Sequence, residues 1–160
     1  MPDELIYAIA SGQPVTLDEI ARLGIDINAS GINNHRTALT AAAFAGNSRL
    51  IRELVQNGAN VDHYDESGVP AILEAASMGR ESAVTTLLDL GVSIETKSRC
   101  GSTALMVAAA WGECEVVRLL LSRGANTMVR DNRGGTALDV AEEKGQEDAA
   151  AILRQAMGDC

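Results

Sequence analysis

Apolar residues along this chain come in short bursts at helical spacing, and each burst ends at a glycine. Between Ser98 and Arg130, Leu105, Ala108 and Ala109 fall at i, i+3 and i+4, and Val116, Val117, Leu120 and Leu121 make a second stripe, the signature of two amphipathic helices. Gly112 and Gly124 stand just past the two stripes, where a helix commonly ends in a left-handed residue that glycine adopts without Cβ strain. Each predicted helix covers roughly ten residues or fewer, too few to persist alone in water. The pattern therefore predicts helices held in place by stacking on one another.

The pattern repeats with a period of 33 residues. Stepping by that period carries Gly46 to Gly79, Gly112 and Gly145, Gly58 to Gly91 and Gly124, and Thr37 through Pro70 to Thr103 and Thr136. It divides one domain, 1–157, into units 1–31, 32–64, 65–97, 98–130 and 131–157, and leaves 158–160 as a tail. Leu5, Ile6 and Ile9 predict a first helix, and Leu17 and Ile20 a second; Gly12 precedes Gly46 by 34 residues, which places one extra residue between Asn28 and Thr37. His35 takes the turn position that Gly68, Gly101 and Gly134 hold in later units. Pro70 is expected in the first turn of its helix, where no N–H is needed. Val55, Leu88 and Leu121 supply a stacking face, whereas the fifth unit has Arg154 there, as a terminal unit with a polar outer face requires.

The period and the stretches TALTAA from Thr37, PAILEA from Pro70, TALMVA from Thr103 and TALDVA from Thr136 resemble the ankyrin repeat, whose 33-residue unit carries T-P-L-H-x-A. The resemblance spans essentially the whole chain. Alanine replaces the motif proline in all four copies, and the histidine position holds Thr40, Leu73, Met106 and Asp139. The family's threonine-to-histidine hydrogen bond therefore has no counterpart. The resemblance implies an all-α solenoid of stacked helix-turn-helix units with short hairpin-like loops. It also implies a protein-binding role on a concave surface. Alanines at 42, 43, 75, 76, 108 and 109 let the first helices of the units approach closely, while larger residues keep the second helices apart, which bends the stack.

Composition narrows the function. Aromatic residues are 2% of the chain, consistent with thin layers built from Ala, Leu, Val and Ile. A net charge of −9 and a pI near 4.6 oppose general nucleic-acid affinity, which rests on phosphate neutralisation by Lys and Arg. Cys100, Cys114 and Cys160 are odd in number and lack CxxC spacing, so neither a disulfide framework nor a metal site is expected. The acidic start MPDELIYAIASG has no basic leader segment, and no apolar run approaches 18 residues; neither a signal peptide nor a membrane span is expected. A reducing, cytoplasmic setting follows as the expectation.

In ankyrin-like units the groove is lined by the two residues before the glycine that ends the first helix and by the turn tips. Carried onto this sequence, the resemblance gives Arg36, Phe44, Tyr64, Glu66, Met78, Lys97, Arg99, Trp111, Arg130 and Arg133 as partner-binding residues. Three of the four aromatic residues are among them, and Trp, Tyr and Arg dominate binding hot spots. With Lys144 and Glu143 included, six bases stand against two acids in the groove, about +4 on a strongly acidic molecule. The expected partner is another protein with an acidic or phosphorylated patch around an apolar anchor. Glu74 sits among apolar equivalents, Ala41, Val107 and Val140, and is expected to reach solvent or to pair with an arginine. Cys100 is expected to be an ordinary exposed thiol.

The sequence holds only His35 and His63 as histidines and no GxSxG, P-loop, HExxH or dinucleotide fingerprint. No enzyme, cofactor or metal is expected. The reading is of a stand-alone interaction module, an inhibitor, neutraliser or adaptor. The alternative is a polyanion such as single-stranded nucleic acid held by the bases together with Trp111 and Tyr64.

Overall fold

The computed structural model describes residues 2–24, 26–31, 36–65 and 67–158. Among them ten helices occur and no strand longer than an isolated bridge: α1 (Pro2–Ala10), α2 (Leu17–Arg22), α3 (Ala38–Ala45), α4 (Ser48–Gln56), α5 (Ala71–Ser77), α6 (Glu81–Asp89), α7 (Ala104–Trp111), α8 (Cys114–Ser122), α9 (Ala137–Glu143) and α10 (Glu147–Gly158). Odd-numbered helices stack on odd, and even-numbered on even, to form two layers. The protein is an all-α solenoid, and its loops close through single bridges, Ser30 to Thr37, Tyr64 to Pro70 and Lys97 to Thr103.

Alanine decides the curvature. Ala41, Ala42, Ala43, Ala75, Ala76, Ala108, Ala109 and Ala141 are all fully buried on the odd helices. Their small side chains let those helices contact one another more extensively than the even helices do. Leu50, Ile51, Leu54, Leu87, Val116, Val117 and Leu120 of the even layer are buried as well, but their bulk holds that layer further apart. A stack tighter on one side than the other bends, and the odd helices line its inner face. In the last pair Arg154 is exposed and donates to Glu142 Oε1 at 2.6 Å. Helix α10 continues through Gly158, one residue past the predicted end of the last unit.

The missing histidines turn out to have local substitutes. Thr37 caps α3 through the backbone N–H of Thr40, and Thr40 Oγ1 accepts from the Thr37 N–H at 2.8 Å. Asp139 Oδ2 does the same for Thr136, accepting from its N–H at 2.8 Å and its hydroxyl at 2.7 Å. These bonds hold the Asp139 carboxyl below the ordinary carboxylate value, the Thr136 N–H being the main cause. Met106 Sδ is a weaker acceptor, 3.5 Å from the Thr103 nitrogen. Pro70 is the N-cap of α5 rather than part of its first turn. Proline has no N–H to satisfy, so Leu73 at the acceptor position leaves nothing unpaired.

Glycine does two jobs at the joints between units. Gly112 ends α7 at φ 72°, and a Cβ there would lie 2.4 Å from Gln146 Oε1 of the next unit. Two tip glycines, Gly68 and Gly101, are equally tight: Gly101 (φ 79°) faces Asn132, whose N–H donates to the Cys100 carbonyl at 3.1 Å and whose Nδ2 donates to the Arg99 carbonyl at 3.0 Å. Arg99 N–H likewise donates to the Gly68 carbonyl at 3.1 Å. His35 lies outside the described residues. The paired positions Gly101 and Gly134 separate the two jobs, since both have positive φ but only Gly101 is crowded. Gly134→Ala is expected to cost about 1–2 kcal/mol for the left-handed backbone, and Gly101→Ala clearly more, because its Cβ would stand 2.9 Å from the Asn132 nitrogen. Urea unfolding of the two variants side by side measures the difference.

Candidate functional site: a cleft in the inner face

The odd helices and the turn tips form the inner face, and a cleft of about 280 Å³ opens in it between α7 and α9. Met106, Val107, Ala110 and Val140 line its apolar part. Trp111 and Lys144 stand at the helix ends, and Ser102, Asp131, Arg133 and Gly135 at the tips. Trp111 is 66% exposed although it is the largest apolar side chain in the protein. Leaving so much aromatic surface in water costs stability, and nothing in the fold requires it.

The repeat explains why the cleft is open here. Two periods earlier, Arg36, Phe44 and Glu74 replace Ser102, Ala110 and Val140. Arg36 Nη2 donates to Glu74 Oε2 at 3.1 Å, and its guanidinium carbon lies 4.2 Å from the centre of the Phe44 ring. The cation–π contact and the ion pair together fill the space that small residues vacate between α7 and α9. The carboxylate of Glu74 thus pairs with arginine, one of its two expected fates. Burial pushes its pKa up, the nearby Arg36 cation pulls it down, and Asp65 adds a smaller upward push. The net direction is upward.

The described residues assigned to the groove from the sequence divide into four groups. Trp111 and Arg133 meet in the cleft, with Glu143 and Lys144. Arg36 and Phe44 are half-buried and occupied with Glu74 and with each other. Tyr64 and Met78 are exposed apolar side chains outside the cleft. At the tips, Lys97 Nζ donates to the Arg130 carbonyl at 3.1 Å, Arg130 Nη1 donates to the Gly134 carbonyl, and the Arg99 side chain lies over Gly68. Glu66 lies outside the described residues.

The structure adds acids and one aromatic residue that the tip-and-glycine rule passes over. Asp131 and Asp139 line the cleft beside Glu143, and Glu74 faces the same groove, so three more carboxylates nearly cancel the expected positive balance. Arg133 and Lys144 line the same cleft as these carboxylates. Asp131 Oδ1 is anchored by the N–H groups of Arg133 and Gly135 at 2.8 and 2.9 Å. The aromatic residue is Tyr7, 68% exposed on α1. It precedes Gly12 by five residues, as Glu74, Val107 and Val140 precede Gly79, Gly112 and Gly145. That register was legible in the sequence, although the two-before-glycine rule did not use it.

Comparison with known proteins agrees with this architecture. Residues 5–98 match a family model described as ankyrin repeats in three copies, and residues 87–141 match one described as ankyrin repeats in many copies. The chain belongs to the ankyrin-repeat family. It is similar to ankyrin repeat domain-containing protein 17 of Homo sapiens and of Mus musculus, each 43% identical over 44 residues, 28% of this chain and 2% of the relative. It is also similar to the ankyrin repeat and KH domain-containing protein mask of Drosophila melanogaster, 37% identical over 60 residues, 38% of this chain and 1% of that protein. The chain therefore spans only one or two per cent of the length of these relatives. Ankyrin repeats are generally non-catalytic protein-interaction modules. No helix of the described residues is long and apolar enough to cross a membrane, and among those residues no three His, Cys, Asp or Glu side chains are grouped to hold a metal ion.

The pKa of Glu74 has a measurable consequence. A carboxyl whose folded pKa is raised favours folding when protonated, so its contribution is present at low pH and is lost as pH rises through the folded pKa. Glu74→Gln, which stays neutral, should be as stable as wild type below the ordinary value of 4.5. It should gain on wild type as pH climbs above that value toward neutrality. Urea midpoints of both proteins between pH 4 and 7 check the sign.

Proposed function

We propose that this chain binds a partner protein in its inner groove, with Trp111 as the main anchor and the cations at the tips facing acidic or phosphorylated groups of the partner. The observation that carries the reading is the exposure of Trp111 at the mouth of a cleft whose apolar part is formed by Met106, Val107, Ala110 and Val140. Six large apolar residues are exposed among the described ones, and four of them, Tyr7, Tyr64, Met78 and Trp111, are assigned to the groove by their register in the repeat. Exposed apolar surface concentrated on one face marks an interaction site.

Lys97, Arg99, Arg130 and Arg133 cluster on two adjacent tips, and two of them are braced by hydrogen bonds to backbone carbonyls. Such cations steer an acidic partner and fix its register. Asp131, Asp139 and Glu143 in the cleft repel a phosphate backbone, which favours a protein over a nucleic acid. Occupying one partner face through one groove suits an inhibitor, a neutraliser or an adaptor. Cys100 and Cys114 are free thiols, in keeping with a reducing cytoplasmic setting.

The test is capture from a cell lysate with wild type beside Trp111→Ala, followed by titration of the purified captured protein. Trp111→Ala is expected to weaken binding about 30-fold, roughly 2 kcal/mol, without lowering the melting temperature. Arg130→Glu with Arg133→Glu is expected to weaken binding mainly at low salt and to flatten its salt dependence. Undiminished binding by Trp111→Ala would remove the groove as the site, and capture of nucleic acid alone would replace the protein partner by a polyanion.

A further inference from the structure

The two most exposed aromatic side chains, Tyr7 and Trp111, lie on α1 and α7, the first and fourth helices of the inner layer. Consecutive helices of that layer pack directly, α1 on α3, α3 on α5 and α5 on α7. At about 8–10 Å per packed helix pair, the two rings stand roughly 25–30 Å apart along the groove. Between them the groove is shut, because Arg36, Glu74 and Phe44 occupy the space that is open between α7 and α9. A linear peptide lying in a continuous furrow has no path across that stretch.

Separated anchors with a filled, flat surface between them fit a rigid partner better than a flexible one. We propose that Tyr7 is a second anchor, and that the partner is a folded protein surface presenting two apolar contacts roughly 25–30 Å apart, with carboxylates on the side that meets Lys97, Arg99, Arg130 and Arg133. This rests on the groove reading above and extends it to the opposite end of the stack. A span of that length is the width of a standard interface of about 800 Å² on each partner, which the cleft alone does not reach. Tyr7 has the same chemical character as Trp111, a large ring with one polar atom, a type enriched where water is excluded on binding.

The test uses p-benzoylphenylalanine as a photoprobe, placed at position 7 in one full-length protein and at position 111 in another, with a control probe at Asp148 on α10. Both groove positions are expected to crosslink the same polypeptide, at two sites more than about 20 Å apart in its fold, while the control does not. With that polypeptide purified, Tyr7→Ala should weaken binding about tenfold, and the double variant with Trp111→Ala should lose approximately the product of the two single effects. Crosslinking from position 111 alone, with Tyr7→Ala binding within twofold of wild type, overturns the second anchor and leaves the groove reading standing. Crosslinking from neither position overturns both, and attachment of a position-7 crosslink to a short disordered segment overturns the folded partner. Tyr7 is exposed, so an unchanged melting temperature shows that a loss of binding is not a loss of fold.

Discussion

Helices of six to twelve residues cannot bury enough apolar surface to exist alone, so the closest approach that two neighbouring helices can make governs this molecule. That approach is set by alanine. A methyl group in place of a larger side chain lets the odd helices contact one another broadly, while leucine, isoleucine and valine hold the even helices apart. Curvature, the inner face and the exposure of what lies on it all follow from that difference in side-chain volume. The glycines belong to the same constraint. At Gly68, Gly79, Gly101 and Gly112 the side chain of the next unit occupies the place of a Cβ, so the joints between units are as closely packed as the helices.

Within this regular frame, the shape of the inner face depends on departures from the repeat. Serine, alanine and valine at 102, 110 and 140 leave a cleft; arginine, phenylalanine and glutamate at the corresponding positions 36, 44 and 74 close one. The same scaffold thus presents an open pocket at one end and a filled surface in the middle. Filling it has an electrostatic cost, visible in the upward push that burial gives the Glu74 carboxyl against the pull of Arg36. An ion pair in that position contributes little net stability once desolvation is counted, and its clearest structural effect is to shape the groove.

Charge in the groove is mixed. Cations occupy the tips, where the chain turns and long side chains reach solvent, and Asp131 and Asp139 beside them accept hydrogen bonds from backbone N–H groups near the start of α9. Those carboxylates are there for local reasons, one organising a turn and the other capping a helix. Their charge nevertheless faces the cleft and restrains what enters it. Local folding chemistry therefore sets the charge that faces the cleft.

The sequence by itself determined the period, the helix pairs and the glycines that end them, because each of these is a matter of spacing along the chain. Tyr7 shares its distance from the following glycine with Glu74, Val107 and Val140, a register that the tip-and-glycine rule does not use. Spacing does not report which side chains meet. That Arg36 lies on Phe44 and reaches Glu74, and that Asp131 lines the cleft with Met106 and Val140, were decided only by the tertiary structure. The physical reason is that these contacts join residues on different helices or turns, whose approach is fixed by the volumes packed between them rather than by their separation in the chain.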